Sequence, residues 1–330
     1  MSTIRGELSL IIMKYRTLGK TKLQVSEMGF GCWALGGAAY GPVRDEESLD
    51  ALETAWERGI NFFDTADIYG HGHSEKVLAQ FLKGKPRAKV ILATKVGHDF
   101  YKGGVKKDFT AEYIREACYK SLARLELETL DVYQLHNPSL EIIKKGEAVG
   151  ALEELKKEGK IRFVGVSVHS EEEALACLED PRVETLQVIL NLIDQRMARG
   201  VLDTARTKEV GIIAREPLAC GLLSEKYDLE HQFPKDDHRR GWTRQKRELD
   251  LKKIEKLKTI FPSERISFVR AALEFVLDFE EIATVIPGAK TKAQVLENLL
   301  AVEDPRLRAQ ESSHLRDFYR REKIFKEGLD

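Results

Sequence analysis

The chain has 330 residues, 42% apolar and 32% charged, enough for one large barrel or two ordinary domains. Its 53 Lys and Arg residues balance 54 Asp and Glu, which argues against a nucleic-acid or anionic-membrane partner. The apolar run Leu8 to Met13 is too short for a signal core or a membrane span, and no other stretch approaches ~18 apolar residues.

Residues 1–13 read as a start-site extension, because Met13-Lys14-Tyr15 resembles a natural beginning. Tyr15 to Leu18 and Leu23 to Ser26 alternate around Gly19-Lys20, the pattern of a hairpin. Met28 to Trp33 is a short glycine-rich strand, and Asp45 to Arg58 a helix closed by Gly59. The pattern then repeats. Strand Ile60–Asp64 leads to helix Ser74–Leu82, strand Val90–Lys95 to helix Ala111–Leu125, and strand Leu130–His136 to helix Ala148–Lys157. Strand Phe163–Ser167 leads to helix Glu171–Leu178, and strand Thr185–Leu190 to helix Ala198–Thr207. Strand Val210–Arg215 is followed by an irregular charged insertion, 228–262, with a helix at Thr243–Leu257, and then by helix Ile266–Phe279. Strand Ile282–Ile286 and helix Lys292–Ala301 complete the series, and 303–330 is a helical tail with Leu315, Phe318, Tyr319 and Phe325.

Short apolar strands alternating with helices need parallel crossovers, and eight such units close naturally into an α/β fold of the (β/α)8, or TIM barrel, type. A doubly wound open sheet is the alternative, but no strand is followed by a G-x-G-x-x-G turn. No linker divides the chain, so a single domain over 1–330 is expected. The insertion after the seventh strand should sit on the catalytic face, where strand-to-helix loops gather. The four cysteines, Cys32, Cys118, Cys177 and Cys220, lack metal spacing, so reduced thiols in a cytoplasmic protein are expected.

The strand ends carry the chemistry. The second strand ends at Asp64, with Tyr69 five residues on; the third ends at Lys95 and the fourth at His136. Singly, Lys95 reads as a solvated strand end and His136 as a satisfied core histidine. Together, four ionisable groups on three adjacent strand ends are costly to place without a purpose. A phenol titrates near ~10, and a neighbouring ammonium should lower that value toward a useful range. A carboxylate would keep the lysine charged, and an imidazole could share the tyrosine's carbonyl oxygen. Such a set polarises a carbonyl and supplies a proton. No side chain donates hydride, so a nicotinamide cofactor is implied and no metal is needed.

From about residue 14 to 302 the chain resembles the aldo-keto reductases, most closely their bacterial and archaeal branch. The motifs are Gly59 to Ala66 with Tyr69-Gly70, Ala93-Thr94-Lys95, Leu135-His136, Gly159 to Arg162, Glu216 to Ala219 with Gly221 to Leu223, and Ile286 to Lys290. The resemblance implies that Tyr69 is the general acid in reduction and the base in oxidation, tuned by Lys95 and Asp64, with His136 orienting the carbonyl. It implies that Gly31, Cys32 and Trp33 lie near nicotinamide and substrate, and that Ser167 and Gln187 bind the carboxamide. Arg215, Glu216, Pro217, Leu218, Gly221, Leu222 and Lys226 would form the belt over nicotinamide and pyrophosphate. Trp33, Tyr40, the loop 97–108 and the insertion would shape the substrate pocket.

Pro287, Gly288, Ala289 and Lys290 join the last strand to a helix. Free amides there, with Lys290, suit the 2′-phosphate of NADP. Gln294, Glu297 and Asn298 share one face of that helix, within reach of adenine and ribose. The expected cofactor is therefore NADPH, with NADH weaker, and the expected partner a small carbonyl or alcohol substrate. Three residues depart from the family pattern. Val168 stands where asparagine is usual, which should weaken cofactor binding by about 1 kcal/mol for one lost hydrogen bond. Arg215 replaces an aromatic under the nicotinamide, and Asn137 replaces a tryptophan common in the animal branch. A nicotinamide-binding regulatory subunit with little turnover is the rival reading, though nothing in the sequence marks a partner surface.

Overall fold

The computed structural model describes residues 13–37, 39–101, 103–261 and 264–328. The extension expected at 1–13 lies outside these residues apart from Met13, which is buried in the core. Strand β1 (Tyr15–Thr17) pairs antiparallel with β2 (Gln24–Ser26) across a tight turn at Gly19–Thr21.

The barrel begins with β3 (Phe30–Gly31), β4 (Phe62–Asp64) and β5 (Ile91–Val96). A small antiparallel ribbon, β6 (His98–Asp99) and β7 (Lys106–Lys107), follows in the glycine-rich loop. Strands β8 (Leu130–His136), β9 (Ile161–Ser167), β10 (Thr185–Ile189), β11 (Gly211–Arg215) and β12 (Ile282–Val285) complete the circle. Neighbours are parallel throughout. Bridges from Met28 to Val285 and from Gly31 to Gly288 bring the last strand back to the first. The seam is tight: a Cβ at Gly31 would stand 2.8 Å from the Ile286 carbonyl oxygen, so glycine is required there.

Inside the barrel, Phe62, Ile91, Ala93, Val132, Ile213, Ala283 and Ile286 pack on Leu18, Leu23 and Val25 of the hairpin. The hairpin thus plugs the floor, where the Lys20 amide donates to the Glu209 carbonyl just ahead of β11. Arg16 fixes it further by donating to the carbonyls of Leu277, Phe279 and Ile282. With the floor sealed by apolar packing, polar side chains are left to the opposite, C-terminal ends of the strands.

The helices are α1 (Asp45–Glu57), α2 (His73–Leu82), α3 (Ala111–Leu125), α4 (Leu140–Lys145), α5 (Glu147–Lys157), α6 (Glu171–Glu179), α7 (Val201–Thr207), α8 (Arg244–Lys258), α9 (Phe268–Leu277), α10 (Lys292–Glu303) and α11 (Ala309–Arg321). Thr110, Ser170, Thr243, Ser267 and Thr291 cap their helices by accepting a backbone N–H three residues on. Two expectations change. The helix read at Ala198–Thr207 starts only at Val201, because Gly200, with φ of 75°, breaks it from a short 3-10 turn at Arg196–Ala198. Helix α4 was not expected; Ser139 starts it, and Gly146, with φ of 70°, ends it after six residues. The insertion does lie on the catalytic face: the His238 amide donates to the Ala39 carbonyl at 2.9 Å, and Tyr40 bridges to Asp237.

Candidate active site

Strand β4 delivers Asp64 and β5 delivers Lys95, and both are almost wholly buried. The Lys95 ammonium has three donors and uses them all. It donates to Asp64 Oδ2 at 2.6 Å, to the Thr65 carbonyl at 2.8 Å and to the Tyr69 hydroxyl at 3.3 Å. The second oxygen of Asp64 accepts from Gln187 Nε2 at 2.7 Å and from Gln134 Nε2 at 3.2 Å. A buried ion pair survives only when its remaining lone pairs and protons are satisfied, and this one meets that condition.

Tyr69 is placed by a turn that admits no larger neighbour. A Cβ on Gly70, with φ of 59°, would lie 2.2 Å from the Gly36 carbonyl oxygen. The phenol ring stacks on Trp33 at 5.7 Å, with the His136 ring edge-on at 5.9 Å. Burial lifts the Tyr69 phenol above its ordinary value, more than Lys95 lowers it. Lys95 does draw it downward, as expected, but burial outweighs that pull, so Tyr69 rests as a protonated donor. Burial pulls Lys95 down, but Asp64 and Tyr69 outweigh it, and the lysine stays charged. Burial, and then Lys95, hold His136 well below 6.5, so its imidazole is neutral. Its Nδ1 is buried without a hydrogen-bond partner among the described residues, which leaves Nε2 as the better site for the ring proton. His98 packs edge-on against it at 4.8 Å.

These groups face a cavity of about 550 Å³, within the usual size of small-molecule and cofactor sites. Gly31, Trp33, Asp64, Tyr69 and His136 are on its walls. So are Gln187, Arg215, Glu216, Pro217, Leu218, Gly221 and Lys226. From the last strand and α10 come Pro287, Gly288, Ala289, Lys290, Gln294, Glu297 and Asn298. Lys95 stands behind this surface. Cys32 and Leu222 were expected to touch cofactor, but both are buried outside the wall, Cys32 with its thiol toward the Phe30 carbonyl. Ser167 is also buried, and its hydroxyl donates to Asn137 Oδ1 at 3.2 Å. Gln187 spends its amide on Asp64 rather than waiting free for a carboxamide.

The start of α10 differs from expectation too. The Lys290 amide is not free: it donates to Gln294 Oε1 at 2.7 Å. The Lys290 ammonium donates to the carbonyls of Tyr40 and Gly41. Burial, and then Arg239, lower its pKa. Two cations of one cavity thus repel each other, a setting that favours an anion between them. Glu216, Ala219 and Cys220 adopt φ of 55°, 47° and 54°, which folds the loop after β11 into a concave edge. Arg215 pairs with Glu216 and donates to the Val168 carbonyl at 3.1 Å and His169 Nδ1 at 3.0 Å. Val168 itself is fully buried, so its side chain has no bearing on the cavity; Asn137 and His169 reach the wall instead.

Several wall residues escaped the sequence reading of cofactor contacts, among them Tyr227 and, within the insertion, Arg239. Arg239 is tied to Asp237 at 2.6 Å and lies over the rings of Tyr40, Tyr227 and Phe233. The only signal for it was an arginine among aromatics.

The model of the Aldo/keto reductase family matches residues 27–320. The chain belongs to that family. It is 34% identical over 301 residues to an L-galactose dehydrogenase of Arabidopsis thaliana, covering 88% of this chain and 89% of that one. It is 30% identical to an NADH-specific methylglyoxal reductase of Escherichia coli, covering 88% and 94%. Among solved structures, the holo form of an aldo-keto reductase from Bacillus halodurans superimposes with a TM-score of 0.76 at 32% identity, over 93% of this chain and 96% of that one. A glycerol dehydrogenase from Gluconobacter oxydans gives 0.74 at 29%, over 95% and 96%. The (β/α)8 barrel of this aldo-keto reductase is therefore the shared fold, and the network of Asp64, Lys95 and Tyr69 lies at its C-terminal face. No helix among the described residues is long and apolar enough to cross a membrane.

Proposed function

We propose that this single-domain, cytoplasmic aldo-keto reductase interconverts small aldehydes or ketones and their alcohols with NADP(H). The observation that carries the reading is the Lys95 ammonium, bonded at once to Asp64, the Thr65 carbonyl and the Tyr69 hydroxyl. The residues present fit a nicotinamide dinucleotide: a long cavity runs past that network to Lys290, Arg239 and the polar face of α10. When bound, the nicotinamide supplies or accepts the hydride.

The chain's own residues manage the carbonyl oxygen and its proton. Tyr69 donates a hydrogen bond to that oxygen and then its proton, leaving a phenolate beside Lys95. The ammonium, kept charged by Asp64, stabilises the phenolate. Neutral His136 holds the same oxygen from a second direction. In alcohol oxidation the phenolate takes the proton back. Asn137, anchored by Ser167 on the cavity wall, replaces the side-chain amide absent at position 168. Relatives named for L-galactose, methylglyoxal and glycerol support a small carbonyl or alcohol substrate. One relative is named NADH-specific; preference for NADPH here rests on Lys290 with Arg239 nearby.

Tyr69→Phe tests the proton donor. The phenylalanine keeps the ring contacts and loses only the hydroxyl. Turnover should fall by about 10²- to 10⁴-fold, while NADPH binding, followed by tryptophan fluorescence, stays within about twofold. Turnover like that of the unaltered enzyme would remove Tyr69 from its role.

A further inference from the structure

A second cavity, of about 500 Å³, opens beside the C-terminal tail. It shares the barrel face of the active site. Glu171 opens α6 just after β9, and Arg196 to Gly200 lie in the connection after β10. The far wall is α11, which presents Arg316 and Arg320, with Lys326 beyond it. Five cations, Arg196, Arg199, Arg316, Arg320 and Lys326, thus surround one hollow, against a single carboxylate, Glu171.

Three of them have acids of their own. Arg196 pairs with Asp194 at 2.8 Å, Arg316 with Asp278 at 2.8 Å and Arg320 with Asp317 at 3.1 Å. Arg199 and Lys326 make no side-chain hydrogen bond or ion pair with any described residue. Moreover, Arg316 and Arg320 stand four apart on one helix, where like charges repel. On a convex surface water would screen such a group. Gathered round a hollow, the same charges focus their field more than on a convex surface and raise the local concentration of anions.

The geometry points to this cleft as a binding site for a small metabolite carrying two phosphate groups. Guanidinium forks match phosphate oxygens in pairs, and four of the five cations are arginines. Little in the lining would recognise a base or an acyl chain. Ala198 is the apolar residue, and Tyr319 is buried, with its hydroxyl engaged by the Gln195 backbone. The ligand is therefore recognised by its charges. The active-site cavity differs on this point, since its four cations, Arg215, Lys226, Arg239 and Lys290, sit among aromatic and glycine-rich walls.

The test is calorimetric titration of the full chain with pyrophosphate at about 150 mM NaCl, where loose surface charges are screened beyond roughly 8 Å. The expected result is one saturable site that persists when NADPH fills the active-site cavity and persists in Lys290→Ala. Affinity should fall at least tenfold in Arg199→Ser/Lys326→Ser and at least threefold in Arg320→Ser. All three residues are exposed, so melting temperature should be unchanged in each variant. No saturable binding, equal affinity in the double variant, or loss of binding in Lys290→Ala would overturn the proposal. None of these outcomes depends on the carbonyl chemistry, which Tyr69→Phe probes separately.

Discussion

Lys95 and Arg239 are cations of one site, each buried and each paired with an aspartate. Lys95 reaches across strands to Asp64, 31 residues away in the chain. Arg239 pairs with Asp237, two residues away in the same loop. The first pair is continuous with Gln134, Gln187 and the packed barrel wall. The second is held by three aromatic rings and by the His238 to Ala39 bond, which ties the roof to the loop after β3. A pair that joins strands cannot be undone without disturbing the barrel. A pair inside a loop can move with that loop, at a local cost below that of global unfolding. On the proposed mechanism the proton chemistry rests on the strand layer, and the cavity is roofed by a loop that can open separately.

The largest effect should come from breaking the rigid pair. Lys95→Met leaves the Asp64 carboxylate buried with only the two glutamine amides as donors. Losing one member of a buried ion pair typically costs about 3–5 kcal/mol, and the retained amides place this variant near the lower end. Chemical denaturation should show that loss. Adding Asp64→Asn should restore most of the stability, because no charge is then stranded, while turnover stays depressed. Recovery of both together would mean that Lys95 acts on stability alone.

How far the sequence revealed this division follows from the same physics. The strands were legible because short apolar runs punctuated by glycine have few other uses, and Asp64, Lys95 and His136 were legible as ionisable groups ending such runs. Gln134 and Gln187 carried the same signal, polar residues inside buried strands, yet amides can serve many partners and their joint hold on Asp64 needed geometry. Cys32 turned into the core, since a thiol is as content there as at a cofactor. At position 168 the backbone carbonyl matters and the side chain does not, which no residue type could announce. The roof was the least legible part. His238 meets the Ala39 carbonyl across 199 residues, through both its amide and its ring Nδ1, and contacts to a backbone carbonyl leave no periodicity. Helix α4 is shorter than two turns and shows no repeat to read.

The loop pair should give a smaller, differently distributed effect. Arg239→Ala removes a guanidinium that three rings and Asp237 hold over the cavity. The roof can then open locally, so melting temperature should change little. NADPH should bind roughly tenfold more weakly, about 1.4 kcal/mol, chiefly through faster release seen by stopped flow. A global loss of stability matching that of Lys95→Met would erase the distinction between the two pairs.

Lys290→Ala sharpens the roof's share further. The Lys290 ammonium already donates to the carbonyls of Tyr40 and Gly41, which leaves one of its three protons for a 2′-phosphate. The expected loss is about 1 kcal/mol, roughly fivefold for NADPH, with NADH changed less than about twofold. Equal losses for both cofactors would remove the phosphate role from Lys290.

The smallest expected effect is a flat line. In the proposed mechanism reduction consumes the Tyr69 proton, so it requires the phenol. Burial holds that phenol above its ordinary value of ~10, and His136 is already neutral because its own value lies well below 6.5. Neither group should titrate between roughly pH 7 and 9, and kcat/KM for reduction should be level there. Alcohol oxidation requires the phenolate and should rise by up to about tenfold per pH unit over the same range. A fall in reduction centred near neutrality would show that the bound cofactor, with Lys95, lowers the phenol more than burial raises it. The rigid layer would then be tuned by its ligand and not by the fold alone.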